Sequence, residues 1–426
     1  MTVDPAWFAG PSFNRDDYVL ATYVFETERD PRRTAAHICQ EQSTPQWRRV
    51  GVDEDLRGKH GAKVVSVRVL SESTQPLIPG RGHGPFRHVE AVIAHPHVNF
   101  GPRLPNLLAV LLGEGIFYTA GVSAIRLTGL WLPDAYAAAF PGPQFGVRGL
   151  RDLLAIPDRP FFIGVVKPNI GLSPPDFAAL AEQAWMGGLD IAKDDEMLGD
   201  MPWSPLAERA ARCGEARARA ERATGERKMY VANITDEIDR LPDLHDAATR
   251  LGANALMLNS LPMGLSAARS LRARAQVPLV SHFILLAALT RVPGFGVDSH
   301  VLTTLQRLAG FDVILFPGTG ERMHTTEAEV RANIRACLQP LGRILPALPV
   351  AGGSSRPADL PESLRIAGTV DFGMVPGRGV FNHPGGPAAG ARSFRQAWDA
   401  VKDGVALAEK AKTAGELRQS LEAFGE

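Results

Sequence analysis

From about residue 148 onward the chain alternates short, unbroken apolar runs with helical stretches, and this alternation leaves few folds open. The runs are 161–167 (FFIGVVK), 188–193 (GLDIAK), 229–233 (MYVAN), 254–259 (NALMLN), 278–282 (PLVSH), 312–316 (DVILF), 348–352 (LPVAG) and 370–375 (VDFGMV). Segments such as PPDFAALAEQAW, GLSAARSLRARA and EAEVRANIRACLQ lie between them. Continuous rather than alternating apolar residues mark parallel strands covered on both faces. Eight strand–helix units over roughly 230 residues are what a (β/α)8 barrel needs. A doubly wound open sheet is the alternative that the pattern leaves open. At the first helix, Ser173 is placed to cap, Pro174 fits the first turn and Asp176 favours the positive end of the dipole.

Residues 1–147 do not alternate in this way. YVLATYVFET, AKVVSVRVL and RHVEAVIAH read as strands, RRTAAHICQEQ and LPNLLAVLLGEG as helices, and 71–86 as a Pro/Gly-rich loop. The expected class is therefore α/β. A smaller N-terminal α+β domain (1–147) precedes a C-terminal (β/α)8 TIM barrel (148–426) that ends in a helical extension.

Charge and cysteine content exclude several functions. Lys+Arg and Asp+Glu are each 46, so the basic surplus of a nucleic-acid binder is missing. The three cysteines (Cys39, Cys213, Cys337) are too scattered for a disulfide scaffold or zinc ribbon. No run of about 18 apolar residues occurs, and MTVDPAWF lacks a signal pattern. The expectation is a soluble, cytoplasmic protein with no membrane and no nucleic-acid partner.

Lysine is scarce, with eight against 38 arginines, yet Lys167 and Lys193 each end a buried-looking run. A charge there is costly unless it is paired or used. Barrel chemistry sits at the C-terminal strand ends. Reading those ends places Lys167-Pro168-Asn169, Lys193-Asp194-Asp195-Glu196, Ser281-His282, Gly352-Gly353-Ser354-Ser355 and Pro376-Gly377-Arg378-Gly379 on one rim. Carboxylates crowded in a partly buried mouth need a cation, and oxygen donors suit Mg²⁺. Strand alternation turns Lys193 and Asp195 one way and Asp194 the other. A solvated charge run is the blander reading of that segment. The glycine loops after strands 7 and 8 suit a phosphate, with Arg378 as an added cation or a solvent-facing side chain. Tight turns are their blander reading.

GVVKPNIGLSP, GGLDIAKDDE, the His282 strand end, Gly352-Gly353 and GRGVFNHPGGPAAGARSFRQAW together resemble the RuBisCO superfamily, from about residue 18 to 400. EQST at 41–44 with Trp47 is similar to the N-terminal segment that completes the neighbouring subunit's active site. The resemblance implies CO₂ carbamylation of Lys193, with Asp195 and Glu196 as the other Mg²⁺ ligands. It also implies Lys167 as the base, a catalytic His282, and a phosphate held at Gly352, Gly353, Gly377, Arg378 and Gly379. Glu41, Trp47 and Glu114 would come from the partner in a homodimer or dimer of dimers.

Departures from the carboxylating pattern narrow the branch. Asn169 stands for a lysine, Phe283 for an arginine, Leu286 for a histidine and Glu114 for an asparagine, and the loop GTGERM (318–323) has no lysine. Losing the cation over the CO₂ site removes the stabilisation that carboxylation needs. The chain thus resembles the non-carboxylating, form IV RuBisCO-like proteins. That implies enolisation or isomerisation of a phosphorylated ketose-like substrate, with methylthio-sugar (sulfur) metabolism as the first context. Decarboxylation of a β-keto sugar-acid phosphate is one alternative, and a non-catalytic role in sulfur metabolism or oxidative stress another. Met197, Phe283 and Phe316 suggest an apolar pocket. Asn233 and Asn259 are read as pocket-lining or rim-capping, His95 and His97 as packed or surface side chains, and His383 as a helix cap.

Overall fold

The computed structural model describes residues 3–46, 50–51, 54–80, 82–320, 323–353 and 355–425. It divides into two compact units, one formed by residues 1–140, 285–305 and 340–344 and the other by residues 141–284, 306–339 and 345–426.

The first unit is built on a five-stranded sheet. Its strands are β1 (Tyr18–Thr27), β2 (Lys63–Ser73), β3 (Phe86–Pro96) and β4 (Val122–Trp131), with β10 (Gly296–Val297) at one edge, in the order β10-β4-β1-β3-β2. The pairs β1/β3, β1/β4 and β2/β3 are antiparallel, and β10 runs parallel to β4. The expected strands of this region are present. β4 and β10 escaped the sequence reading. In β4 the burial pattern is irregular, with no clean period of two. A helix at Pro31–Glu41 starts on Asp30, whose carboxylate accepts from Arg33 N at 2.8 Å.

The second unit contains a closed, parallel, eight-stranded barrel. Its strands are β5 (Phe161–Val165), β6 (Ile191–Lys193), β7 (Met229–Asn233), β8 (Ala255–Leu258), β9 (Leu279–Ser281), β11 (Val313–Pro317), β12 (Leu348–Gly352) and β13 (Gly373–Met374). Closure removes the open-sheet alternative. Ser173 caps the helix Pro174–Met186 as expected, accepting from Asp176 N at 3.3 Å.

The barrel interior is filled by alternate residues: Phe161, Ile163 and Val165 on β5, Ile191 on β6, Met229 and Val231 on β7, and Val313 and Leu315 on β11. Val147, Leu150 and Leu154 of the helix Gly146–Leu154 join the same core. Alternation decides which polar residues face the interior. Lys193 follows Ile191 by two and is directed inward, whereas Asp194 is directed outward.

No helix among the described residues is long and apolar enough to cross a membrane. After the barrel the chain is helical at Gly386–Lys402, Leu407–Ala411 and Gly415–Phe424.

Candidate active site

At the C-terminal ends of β5, β6, β9, β11, β12 and β13 lies a cavity of about 600 Å³. Its polar lining is Lys167, Asn169, Glu196, His282, Arg378 and Asn382; its apolar lining is Val165, Phe283, Leu315, Met323, Val375 and Phe381, with Pro168 and Gly352, Gly353 and Gly377 between them.

Lys167 reaches across the strand ends. Its Nζ donates to Asp195 Oδ2 at 2.9 Å and to Asn169 Oδ1 at 2.8 Å. Asp195 is almost wholly buried and also accepts from Met197 N at 3.2 Å. Lys193 is fully enclosed, and its Nζ donates to the Asp194 carbonyl at 2.6 Å. Burial pushes the Lys193 pKa below its ordinary value, against the opposing pull of Glu196, Asp195 and Asp194. Glu196 Oε2 lies 3.5 Å from His282 Nε2. Burial first, and then the charges of Lys193 and Lys167, hold the His282 pKa well below the usual histidine value. The ring is therefore neutral at pH 7. It stacks on Phe283 with centroids 4.5 Å apart, and its Nδ1 is buried without a hydrogen-bond partner.

Asp194 serves the wall rather than the cavity. It pairs with fully buried Arg209 at 3.1 Å and accepts from Tyr230 Oη at 2.8 Å and Asn233 N at 2.9 Å. The sequence reading left the placement of Asn233 and Asn259 open. Both turn inward on the backbone: Asn233 Nδ2 reaches the carbonyls of Asp195 (3.2 Å) and Glu196 (3.1 Å), and Asn259 Nδ2 reaches that of Glu196 at 2.9 Å. Asparagine at two adjoining strand ends is the only signal that pointed to them.

The expected glycines separate into two kinds. Gly352, Gly353 and Gly377 line the cavity, as does the exposed Arg378. A Cβ on Gly379 would stand 2.7 Å from the Ser355 carbonyl and 3.0 Å from the Phe394 ring, so this glycine answers to packing. Ser354 lies outside the described residues.

Of the three apolar residues expected in the pocket, only Phe283 lines it. Met197 is exposed. Phe316 is fully buried and adjoins Val330, Ile334 and Pro349 instead. Strand period is the reason, since the inward position on β11 is Leu315.

Glu41 and Glu114 sit in the first unit, where Gly115 of the helix Glu114–Phe117 approaches Glu41; Trp47 lies outside the described residues. His95 is buried, and His97 Nε2 contacts the Asp16 carbonyl at 3.1 Å. His383 stands at the start of the helix that follows it, its Nδ1 accepting from Gly385 N at 3.0 Å and its carbonyl from Gly386 N at 2.8 Å. Its Nε2 is 3.0 Å from the Glu416 carbonyl, because the C-terminal helices fold back beside it.

The first unit holds a larger cavity of about 700 Å³ beside Asp4, Trp7, Arg29, Asp30, Arg33 and His37. There Asp4 is paired with Arg57 and Asp30 caps a helix, so both acids serve the local structure.

Among the described residues no group of three or more His, Cys, Asp and Glu could hold a metal ion. Asp195 and Glu196 supply two carboxylates, and an oxygen-donor site for Mg²⁺ needs more. The buried Lys193 fits the missing donor. A lysine whose burial favours the neutral amine is a nucleophile for CO₂, and its carbamate would add oxygen donors among those carboxylates.

This parallel barrel gathers a Lys–Asp pair and a Glu–His contact at its C-terminal mouth, the face at which barrels of this kind carry their sites. Residues 146–424 match the family described as "Ribulose bisphosphate carboxylase large chain, catalytic domain". The chain belongs to the RuBisCO large-chain family, in its RuBisCO-like branch. It is 55% identical over 417 residues to a ribulose bisphosphate carboxylase-like protein of Allochromatium vinosum, covering 97% of this chain and 91% of that one. It is 33% identical to a 3-oxo-isoapionate-4-phosphate decarboxylase of Rhizobium rhizogenes, covering 96% and 99%. A crystal structure of a rubisco-like protein from Burkholderia fungorum is similar at TM-score 0.88 and 31% identity, covering 96% and 100%.

Proposed function

We propose that this chain is a Mg²⁺-dependent enolase or isomerase of a phosphorylated, ketose-like compound, and not a ribulose-bisphosphate carboxylase. The observation that carries the reading is the Lys167 amine, 2.9 Å from Asp195 and facing the cavity that Glu196 and His282 line. Lys193 as its carbamate, Asp195 and Glu196 would hold the cation. When bound, Mg²⁺ would polarise the substrate's ketone and neighbouring hydroxyl and stabilise the charge that enolisation creates.

The chain's own groups do the rest. Lys167, freed from its pairing with Asp195, takes the proton next to the carbonyl. The neutral His282 ring stands on the same wall with its Nε2 3.5 Å from Glu196, the nitrogen through which it would relay a proton. The backbone at Gly352, Gly353 and Gly377, with the Arg378 guanidinium, takes the phosphate, and the apolar wall suits a thioether or deoxy end. Methylthio-sugar phosphates of sulfur metabolism are the first candidates on this reading. Glu41, Trp47 and Glu114 of a second copy would complete the site in a homodimer. Carboxylation lacks its cations: Asn169 and Phe283 line the cavity where carboxylases carry Lys and Arg. The three cysteines are buried, and burial pushes each thiol up, which weighs against a thiol-based oxidative-stress role.

Solvent deuterium exchange into a panel of ketose phosphates, with Mg²⁺ and bicarbonate, tests the reading. Wild type should exchange at least one of them and Lys167→Met should not. No exchange across the panel, or equal exchange by both proteins, overturns it. Decarboxylation of a β-keto sugar-acid phosphate is the second reading, favoured by the decarboxylase relative. It predicts CO₂ release that survives in Lys167→Met.

A further inference from the structure

Glu196 stands on a short turn, Asp194–Glu196, that leaves strand β6, and backbone freedom there would let its carboxylate wander across the cavity. The turn is gripped from two sides. On the outer side the Asp194 carboxylate is fixed by Arg209, Tyr230 Oη and Asn233 N. On the inner side the Asn233 and Asn259 amides both donate to the Glu196 carbonyl, at 3.1 and 2.9 Å.

Thr235 ties the two asparagines together. Its Oγ1 donates to Asn233 Oδ1 at 2.6 Å and accepts from Asn259 N at 2.9 Å. Asn233 is thus held at both ends, its N–H on Asp194 and its amide on Asp195 and Glu196. Asn259 is nine-tenths buried, and its Oδ1 has no partner. Its amide orientation follows from the Nδ2 contact alone, because the reverse orientation would set Oδ1 against the Glu196 carbonyl.

We infer that Asn233, Thr235 and Asn259 form a bracket that positions the Glu196 carboxylate for divalent-cation binding. None of the three contacts the cavity's ligand space, so they are positioning residues. The inference rests on the cation site of the proposed function. Groups that orient a ligand without touching the metal typically change its affinity by about 10- to 100-fold when removed.

Titration calorimetry of the full-length protein with Mg²⁺ in bicarbonate buffer reads this directly, beside the melting temperature of each variant. Asn259→Ala should weaken Mg²⁺ binding about 10- to 100-fold. Asn259→Asp should weaken it further, because a carboxylate would face the carbonyl that the amide now holds. Thr235→Val, which removes one hydroxyl and keeps the backbone, should give a smaller loss in the same direction. It remains readable if Asn259→Ala fails to fold.

Affinities within twofold of wild type in Asn259→Ala and Thr235→Val, or a lowered melting temperature with unchanged affinity, overturn the bracket and leave the enolase reading standing. A wild-type protein that binds no Mg²⁺ overturns both.

Discussion

Replacing Arg209 by Met tests what holds the acidic turn from behind. Arg209 is fully buried. Its guanidinium donates to Asp194 Oδ2 through Nε (3.2 Å) and Nη2 (3.1 Å), to the Ser204 carbonyl (2.6 Å) and hydroxyl (3.2 Å), and to the Gly199 carbonyl (3.1 Å). Methionine fills much of that volume and supplies none of those donors. Asp194 keeps only Tyr230 Oη and Asn233 N, which leaves a buried carboxylate without a counter-charge. Breaking a buried pair from one side costs about 3–5 kcal/mol. The orphaned carbonyls place the loss toward the upper part of that range.

Urea unfolding followed by tryptophan fluorescence gives the value. Trp185, wholly buried on the helix Pro174–Met186, reports from the adjoining helix pair. The slope against urea should stay unchanged while the midpoint falls. The double variant Asp194→Asn/Arg209→Met removes the charge with its partner and should recover about 2 kcal/mol, a coupling expected of directly touching residues. A loss under about 1 kcal/mol for Arg209→Met, or strictly additive effects in the double variant, would refute a charge-paired anchor.

Two further outcomes follow from single side chains. His95 is buried without a hydrogen-bond partner for either ring nitrogen, and burial pushes its pKa down to about 4 from 6.5. The unfolded chain therefore binds a proton that the folded chain refuses. Stability is complete above about pH 6.5 and falls by about 3 kcal/mol as pH drops toward 4, and His95→Phe should flatten that slope in urea titrations at several pH values. Arg378 is exposed at the cavity and makes no ion pair among the described residues, so Arg378→Ala should raise KM for a phosphorylated substrate about 10- to 100-fold with kcat largely kept.

Much of this architecture was legible because two rules act locally. Unbroken apolar runs separated by helices specify a parallel, doubly covered sheet. All eight barrel strands fall inside or within a residue of the runs read from sequence. The period of two then sets Lys193 and Asp195 apart from Asp194. At β11 nearness to the rim suggested Phe316, whereas the same period selects Leu315. What stayed hidden depends on partners distant in sequence. Asn259 reveals its role only when β8 and β6 bring it to a carbonyl 63 residues away. Gly379 looked like part of a phosphate loop because sequence shows the missing Cβ and not the Ser355 carbonyl that forbids one. β10 is two residues long, too short to carry any pattern.

The cavity's charge inventory sets a limit on its substrate. Among the described residues its cationic side chains are Lys167 and Arg378, and Lys167 is already shared between Asp195 and Asn169. One phosphate carries a charge of about −1.5 to −2 at pH 7. Arg378 and the glycine backbone can answer one such group. A second would meet Phe283, Leu315, Val375 or Phe381, where desolvation is uncompensated. Ketose monophosphates with an apolar far end should therefore exchange their α-proton at least about tenfold faster, at equal sub-saturating concentration, than the matching bisphosphates. Replacing Phe283 with Arg should narrow that gap by placing a guanidinium where the ring now stacks on His282. Equal exchange of mono- and bisphosphates by the wild-type protein would mean that the second phosphate finds a cation outside this wall, and the charge argument would fail.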